Sequence, residues 1–504
     1  MDTQFGRRDF MKTAGLGAGV ALAAGYSAKA RAATDTIRVG SIGTGGQGSF
    51  HLRDGLARAA NCEVVAVCDI YLPHLEGGWK NAGGEQRTIA KYTNYHEMLD
   101  KEDLDAVVIA TPLHTHFQIV MDCLDAGKNI FCEKTLCYEI EDCREIVKKC
   151  HETGLFCQVG HQRRYNPKYN KAKWLAVDRG LIGRITHVTA QWHRNNHWRR
   201  FVDHSRELTP AEKKVIPDLE RHLNWRLYKE SSGGLMTELC THQIDIVQWF
   251  LGTPPARVFG TGGIDYWRDG REVPDNVALV YEYDIKRGDV GFQAIQRRTR
   301  YQKRTQINRP YTVRCTYTST TSTGKRGASE LIQGDRGSFE LTEKDCFIFG
   351  EPAIKLEEEQ KKQQLAMNAK KAADAVTSGK SLGLPNDAYT KGYAIEVFND
   401  KSTDQLQFEA FGNDVMNGGM PKANQMVGLY AAISGLAGLR AIREGGTVVN
   451  IDPAWYAFDF ETPDPYRFEN WEGPDTPTAT GKDPAKDAPA QGGEASEPAT
   501  ETTV

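Results

Sequence analysis

Between Ile37 and Asp69 the chain runs strand, glycine turn, helix, strand in one short unit, and few folds accept that order. Ile37-Arg38-Val39-Gly40-Ser41-Ile42 reads as a buried strand, Gly43-Thr44-Gly45-Gly46-Gln47-Gly48 as a turn, Ser49 to Ala60 as a helix and Val64 to Asp69 as a second strand. Glycines 43, 45 and 48 have the spacing of a dinucleotide fingerprint. The first permits the tight turn, the second lets the backbone approach a pyrophosphate, and the third lets the helix pack on the sheet. Unpaired N–H groups and the dipole at the helix N-terminus favour an anion there. Asp69 stands about 20 residues on, at the end of the second strand. A carboxylate there accepts both ribose hydroxyls and repels a 2'-phosphate, which favours NAD over NADP.

The next strand ends at Val107-Val108-Ile109-Ala110-Thr111-Pro112, where Pro112 cannot donate to a ladder, so the Thr111-Pro112 turn is placed against the cofactor cleft. A helix from His114 to Ala126 then leads to Phe131-Cys132-Glu133-Lys134-Thr135. Lys134 thus falls just past the carboxyl end of another parallel strand, the edge at which open α/β sheets bind ligands. It is the first candidate for the chemistry. A charged amphipathic helix, Ile140 to Thr153, and a strand within Leu155 to Gly160 close a first domain over residues 36–160. His114 and His116 have no third ligand nearby and read as a cap and a hydrogen-bonding group, not a metal site.

The second half changes character. Ile185 to Trp192, Val277 to Tyr283, Val290 to Ile295 and Tyr311 to Thr318 read as strands with few helices between, so residues 161–455 are expected to form an α+β domain with a large, mostly antiparallel sheet. A helix from Leu235 to Leu251 places Glu238, His242, Asp245 and Trp249 on one face and Leu235, Leu239, Ile246 and Phe250 on another. A titratable stripe beside an apolar one suits a helix lining a cleft, and equally an ordinary solvated face. Asn424 to Arg443 reads as a buried Ala/Gly/Leu-rich helix, Glu357 to Ser378 as an exposed charged one, and 473–504 as a disordered tail.

Gly6-Arg7-Arg8-Asp9-Phe10-Met11-Lys12, a weakly apolar run from Thr13 to Ala28 and small-residue cleavage patterns resemble a twin-arginine export signal over residues 1–32. The expectation is a periplasmic or other extracytoplasmic protein that meets the twin-arginine translocation machinery. A net charge of -3 gives no footprint for nucleic acid. The eleven cysteines lack metal spacing, and those in apolar strand or helix patterns read as small buried side chains.

Taken together, the glycine loop, Ala110-Thr111-Pro112 with His116, Glu133-Lys134-Thr135, and Gly233-Gly234 followed by Glu238, His242 and Asp245 resemble the glucose-fructose oxidoreductase/inositol dehydrogenase (Gfo/Idh/MocA) family. Gln162 to Pro167, Leu223 to Tyr228 and Ile332 to Ser338, the last placed on a late strand, agree with it. Thr135 stands where that family usually has proline, and Glu238 where it usually has aspartate.

The resemblance implies a cofactor site at Gly43, Gly45, Gly46, Gln47, Gly48, Asp69, Thr111, Pro112, His116, Glu133 and Lys134. It implies Lys134 at the nicotinamide and the substrate hydroxyl, and His242 as proton acceptor. Glu238 would hold the imidazole or a neighbouring hydroxyl, and Arg164, Tyr165 and Asp245 stand as substrate-binding candidates. Trp192, Trp198 and Trp225 offer flat faces that suit a carbohydrate.

The expected function is an exported NAD-dependent oxidoreductase acting on a CH–OH group of a sugar, polyol or glycoside. Outside the cytoplasm little free NAD is available, so the cofactor is expected to stay bound, and a homo-oligomer is expected from the family. Two alternatives stand beside this one. The first is a redox-neutral, NAD-using glycosidase or epimerase with an added base at Tyr165 or within His193-Arg194-Asn195-Asn196-His197. The second is a sugar-binding scaffold without turnover.

Overall fold

The computed structural model describes residues 36–177, 179–286, 289, 310–350, 392–397 and 399–467. The Arg7-Arg8 signal, the strand read at Val290 to Ile295, the helix read at Glu357 to Ser378 and the tail from Gly473 lie outside the described residues.

The first sheet contains β1 (Ile37–Ile42), β2 (Cys62–Cys68), β3 (Ala90–Tyr92), β4 (Ala106–Ile109), β5 (Asn129–Cys132) and β6 (Cys157–Val159), all parallel, in the order 3-2-1-4-5-6. Its central strands are continuous apolar runs because both faces are covered; Ala106, Val107, Val108 and Ile109 are wholly buried. Strand order reverses between β1 and β4, so their carboxyl ends part at Gly43 and Ala110 and leave a crevice.

The crossovers are α1 (Gly46–Phe50), α2 (Leu72–Asn81), α3 (Tyr95–Lys101), α4 (His116–Asp125) and α5 (Ile140–Thr153). α5 has the predicted bounds: Cys143, Ile146, Val147 and Cys150 form its buried stripe, and Gly154 at φ 69° ends it. The helix expected from Ser49 instead begins at Gly46, then becomes a π turn over His51–Gly55 and a 3₁₀ turn over Leu56–Arg58.

The second sheet has nine strands: β7 (Ile185–His193), β8 (Arg257–Gly263), β9 (Asn276–Ile285), β10 (Tyr311–Thr320), β11 (Ala328–Gly334), β12 (Gly337–Leu341), β13 (Cys346–Gly350), β14 (Tyr393–Ala394) and β15 (Val449–Asn450). They lie in the order 14-13-12-11-7-10-9-8-15, and every pairing is antiparallel except β7 with β10. On β10 the inward face carries Val313, Cys315 and Tyr317, each fully buried. The stretch Ile332 to Ser338 is not one strand: β11 and β12 pair antiparallel and Asp335-Arg336 is their turn.

The helices of this half are α6 (Pro167–Val177), α7 (Pro210–Val215), α8 (Leu219–Leu223), α9 (Thr241–Leu251), α10 (Thr403–Asn417) and α11 (Gln425–Arg443). α11, read from the sequence as starting at Asn424, begins one residue later with Asn424 as its cap; it is long and apolar enough to cross a membrane, yet most of it is buried inside the protein. Its glycines explain how: a Cβ on Gly428 would lie 2.5 Å from Val159, one on Gly435 2.7 Å from Thr241 and one on Gly438 2.4 Å from Tyr281. The helix thereby touches β6, α9 and β9 at backbone distance.

The sequence reading puts all of 161–455 in the second domain, whereas α10 covers the first sheet. Phe408 and Phe411 are buried in one core with Val39, Val67 and Phe131. The chain also returns at its end: Arg144 of α5 donates to Ala454 O at 2.9 Å and Trp455 O at 2.6 Å, and its guanidinium lies over Phe458.

Candidate active site

The crevice between β1 and β4 opens into a cleft of about 840 Å³ lined by Gly43, Gly45, Gly46, Asp69, Thr111 and Pro112, among others. The loop is fixed by close approach. Gly43 has φ +83°, and a Cβ on Gly48 would sit 1.9 Å from Gly43 O. Asp69 Oδ2 accepts from Thr44 N at 2.8 Å, and Oδ1 from Tyr71 N at 2.9 Å. One carboxylate therefore sets the loop and remains at the cleft wall.

A second cavity of about 690 Å³ is lined by Lys134, His242, Glu238, Glu133, His116 and Trp192, among others. The two spaces share Gln47, Ala110, Thr111, Arg200, Trp225 and Arg226.

Lys134 is held at the junction by the turn β5 feeds. Glu133 Oε2 accepts from Lys134 N at 3.1 Å, while Oε1 lies 2.6 Å from His51 Nε2 and 3.3 Å from Gln47 Nε2. Burial pushes Glu133 up, but the His51 hydrogen bond and charge, with Lys134, outweigh it and hold the carboxyl below its usual value. His51, on the π turn after the fingerprint, belongs to the site and the sequence reading missed it. Its one signal was an imidazole on a helix that is otherwise packed.

The Lys134–Thr135 peptide is cis. Thr135 Oγ1 donates to Thr237 O at 2.7 Å, and Lys134 Nζ donates to Glu238 O at 2.9 Å. Both acceptors lie in a π turn, Met236–Cys240, that precedes α9. Such a turn frees carbonyls from the helix ladder, and here two of them receive the lysine turn. His116 spans the same junction, with Nδ1 3.0 Å from Thr135 O and Nε2 3.0 Å from Thr111 O.

His242 is buried beside Trp192, 5.3 Å between ring centroids. Its Nδ1 is buried without a partner, and the residue lines the cavity. Burial, then the charges of Lys134, Arg163, His161 and Arg194, hold its pKa well below the usual histidine value, so the ring is neutral. Burial lowers Lys134 as well, against the pull of Glu238 and Glu133.

Glu238 serves the cations, not the imidazole. Oε2 accepts from Arg226 Nε at 3.0 Å and lies 3.9 Å from Lys134 Nζ, while Oε1 accepts from Ser232 Oγ at 3.3 Å.

Three substrate-binding candidates need correction. Arg164 and Asp245 pair with each other at 2.7–3.1 Å, both buried, and Arg164 also donates to Pro465 O at 2.8 Å. Tyr165 is buried against Ala423 and Val427, its hydroxyl accepting from Ala423 N at 3.2 Å. None of the three lines either space. The predicted polar face of the helix does not hold as one surface, because it is enclosed along its length and its charges meet different partners at its two ends. Of the tryptophans, Trp192, Trp198 and Trp225 do line the Lys134 cavity.

Residues 37–161 match the oxidoreductase-family model described as an NAD-binding Rossmann fold, and residues 176–451 match that family's C-terminal alpha/beta domain. The chain belongs to the Gfo/Idh/MocA oxidoreductase family. It is 28% identical over 228 residues to scyllo-inositol 2-dehydrogenase (NAD(+)) of Bacillus subtilis, which covers 45% of this chain and 58% of that protein. It is 30% identical over 224 residues to an inositol 2-dehydrogenase/D-chiro-inositol 3-dehydrogenase of Lactiplantibacillus plantarum, covering 44% and 54%. The aligned stretches thus span little more than half of those relatives. A levoglucosan dehydrogenase in complex with NADH shares the fold at TM-score 0.57 and 17% identity, over 83% of this chain and 99% of that one.

Proposed function

We propose that the protein is an NAD-dependent oxidoreductase that oxidises a CH–OH group of a sugar or polyol, exported by its twin-arginine signal with the cofactor retained. The carrying observation is that a buried lysine ammonium and a neutral buried imidazole face one cavity that joins the fingerprint cleft. The relatives' names, inositol dehydrogenases, support the substrate class.

The residues fit NAD. The loop leaves no room for a Cβ at Gly48, and the carboxylate of Asp69 stands where ribose hydroxyls are accepted. Arg200 lines both spaces, with Nη2 3.0 Å from where a Cβ on Gly46 would be, so its guanidinium would help hold the cofactor's phosphates at the glycine loop. When bound, NAD supplies the hydride acceptor. The chain's own part is the proton: as the C–H bond gives up its electron pair, the hydroxyl proton passes to His242 Nε2 and the carbon becomes a carbonyl. Lys134 Nζ donates to the same oxygen and stabilises its developing charge before the proton is gone. Glu238 O and Oε2 hold that ammonium in place.

The test is to purify the mature protein without added nucleotide, denature it and identify what is released. One NAD or NADH per chain is expected. NADP would overturn the reading of Asp69, and a protein that neither carries nor binds either nucleotide would overturn the function.

A further inference from the structure

Among the described residues, one cation in the Lys134 cavity has no carboxylate within ion-pair distance, although Glu238 and Glu343 act on it from farther off. Arg194 follows the last residue of β7, its backbone N–H donating to Thr320 O at 2.9 Å. Its guanidinium carbon lies 5.2 Å from the ring centroid of Trp192 and 5.2 Å from that of Trp198. Among the described residues the guanidinium makes no ion pair and no hydrogen bond, and Nε is buried without a partner. Glu238, the buried carboxylate that acts on Arg194, is already engaged, and Glu343 is half-exposed and turned to another arginine. Arg226 donates to Glu238, Arg199 bonds Glu220 and lies 3.6 Å from Asp269, and Glu343 lies 3.4 Å from Arg163.

An arginine taken part-way out of water without a carboxylate is costly, and two aromatic faces offset only a fraction of that. Arg194 borders the Lys134 cavity but not the dinucleotide cleft, so the cofactor's phosphates do not supply the missing anion. With no carboxylate of the described residues at bonding distance, a substrate bound in the cavity can supply the anion. With Nε closed off, Nη1 and Nη2 are left as a two-pronged fork, a geometry that matches the two oxygens of a carboxylate.

We propose that Arg194 reads a carboxylate on the substrate, which makes the substrate an acidic sugar of the uronic-acid type. This rests on the oxidoreductase reading of the same cavity and narrows it. Trp192 and Trp198 keep the fork aimed and dry, while the oxidised carbon sits toward Lys134 and His242.

The experiment uses the full mature protein with NAD bound and three epimeric pairs of probes: glucuronate with glucose, galacturonate with galactose, mannuronate with mannose. Absorbance of NADH formed on the protein and quenching of tryptophan fluorescence are both read against sugar concentration. For at least one pair the acid should half-saturate at about tenfold lower concentration than its neutral partner, the factor expected of a charge-assisted hydrogen-bonded pair. In Arg194→Met that preference should collapse toward one, and Arg194→Lys, which keeps the charge and loses the fork, should retain part of it. If acids and neutral sugars respond alike, or the preference survives Arg194→Met, the inference is overturned while NADH formed with neutral sugars leaves the oxidoreductase reading standing. If none of the six gives NADH or quenching, the inference is overturned, while the oxidoreductase reading stands or falls on the nucleotide the protein carries.

Discussion

At the scale of the residue, the site turns on one imidazole kept neutral and one lysine held against Glu238 in the same buried cavity. Replacing His242 by alanine removes the proton acceptor and should lower the rate of bound-NAD reduction about 10²- to 10⁴-fold, the usual contribution of a positioned base. Nucleotide content should be unchanged, because His242 does not border the dinucleotide cleft. The pH profile carries a sharper prediction. His242 must be unprotonated, and its pKa lies well below the 6.5 of a free imidazole, so the acid limb should fall below the ordinary histidine range. Lys134 must be protonated, and burial lowers it from 10.5, so the alkaline limb should begin below the ordinary lysine range. Single-turnover rates across pH check both limbs. An acid limb near 6.5, or one that persists in His242→Gln, would sink the assignment.

At the scale of the element, the catalytic lysine depends on a contact that proline could not make. Thr135 Oγ1 donates to Thr237 O, joining the turn after β5 to the π turn before α9. Thr135→Val keeps the shape and removes the donor. Thr241 Oγ1 still serves that carbonyl at 3.1 Å, so the loss should be about 1 kcal/mol in urea unfolding. The rate should fall more than stability does, since Lys134 is the next residue. Equal activity at reduced stability would make Thr135 structural only. The sequence placed these parts well where one local rule decides. Glycine spacing, the apolar runs of β1 and β4, and the stripe of α5 are local, and each was legible. The π turns were not, because hydrophobic period alone does not reveal one extra residue in a helix. Nor was the partner of Asp245 readable, since Arg164 lies 81 residues away and the pair forms only on tertiary packing.

At the scale of the whole molecule, that pair is where three distant stretches of chain are tied. Arg164 follows the last strand of the first sheet, Asp245 lies on α9, and Pro465 belongs to the closing segment; Arg164 bonds both. His161 Nδ1 lies 3.7 Å from Asp245, and burial lowers His161 to about 4, so it adds no charge of its own at neutral pH. Removing one partner strands the other. Arg164→Met should cost about 3–5 kcal/mol, as breaking a buried pair does, and Asp245→Leu a similar amount. The double variant should recover much of that, because two apolar side chains replace two desolvated charges. Chemical unfolding of the four proteins gives the cycle, and the half-saturation concentration of whichever sugar reduces bound NAD gives the control. A substrate-binding arginine would shift half-saturation in Arg164→Met with stability nearly intact. A structural one, as the burial of both side chains requires, shifts stability first and leaves the half-saturation of the folded fraction where it was.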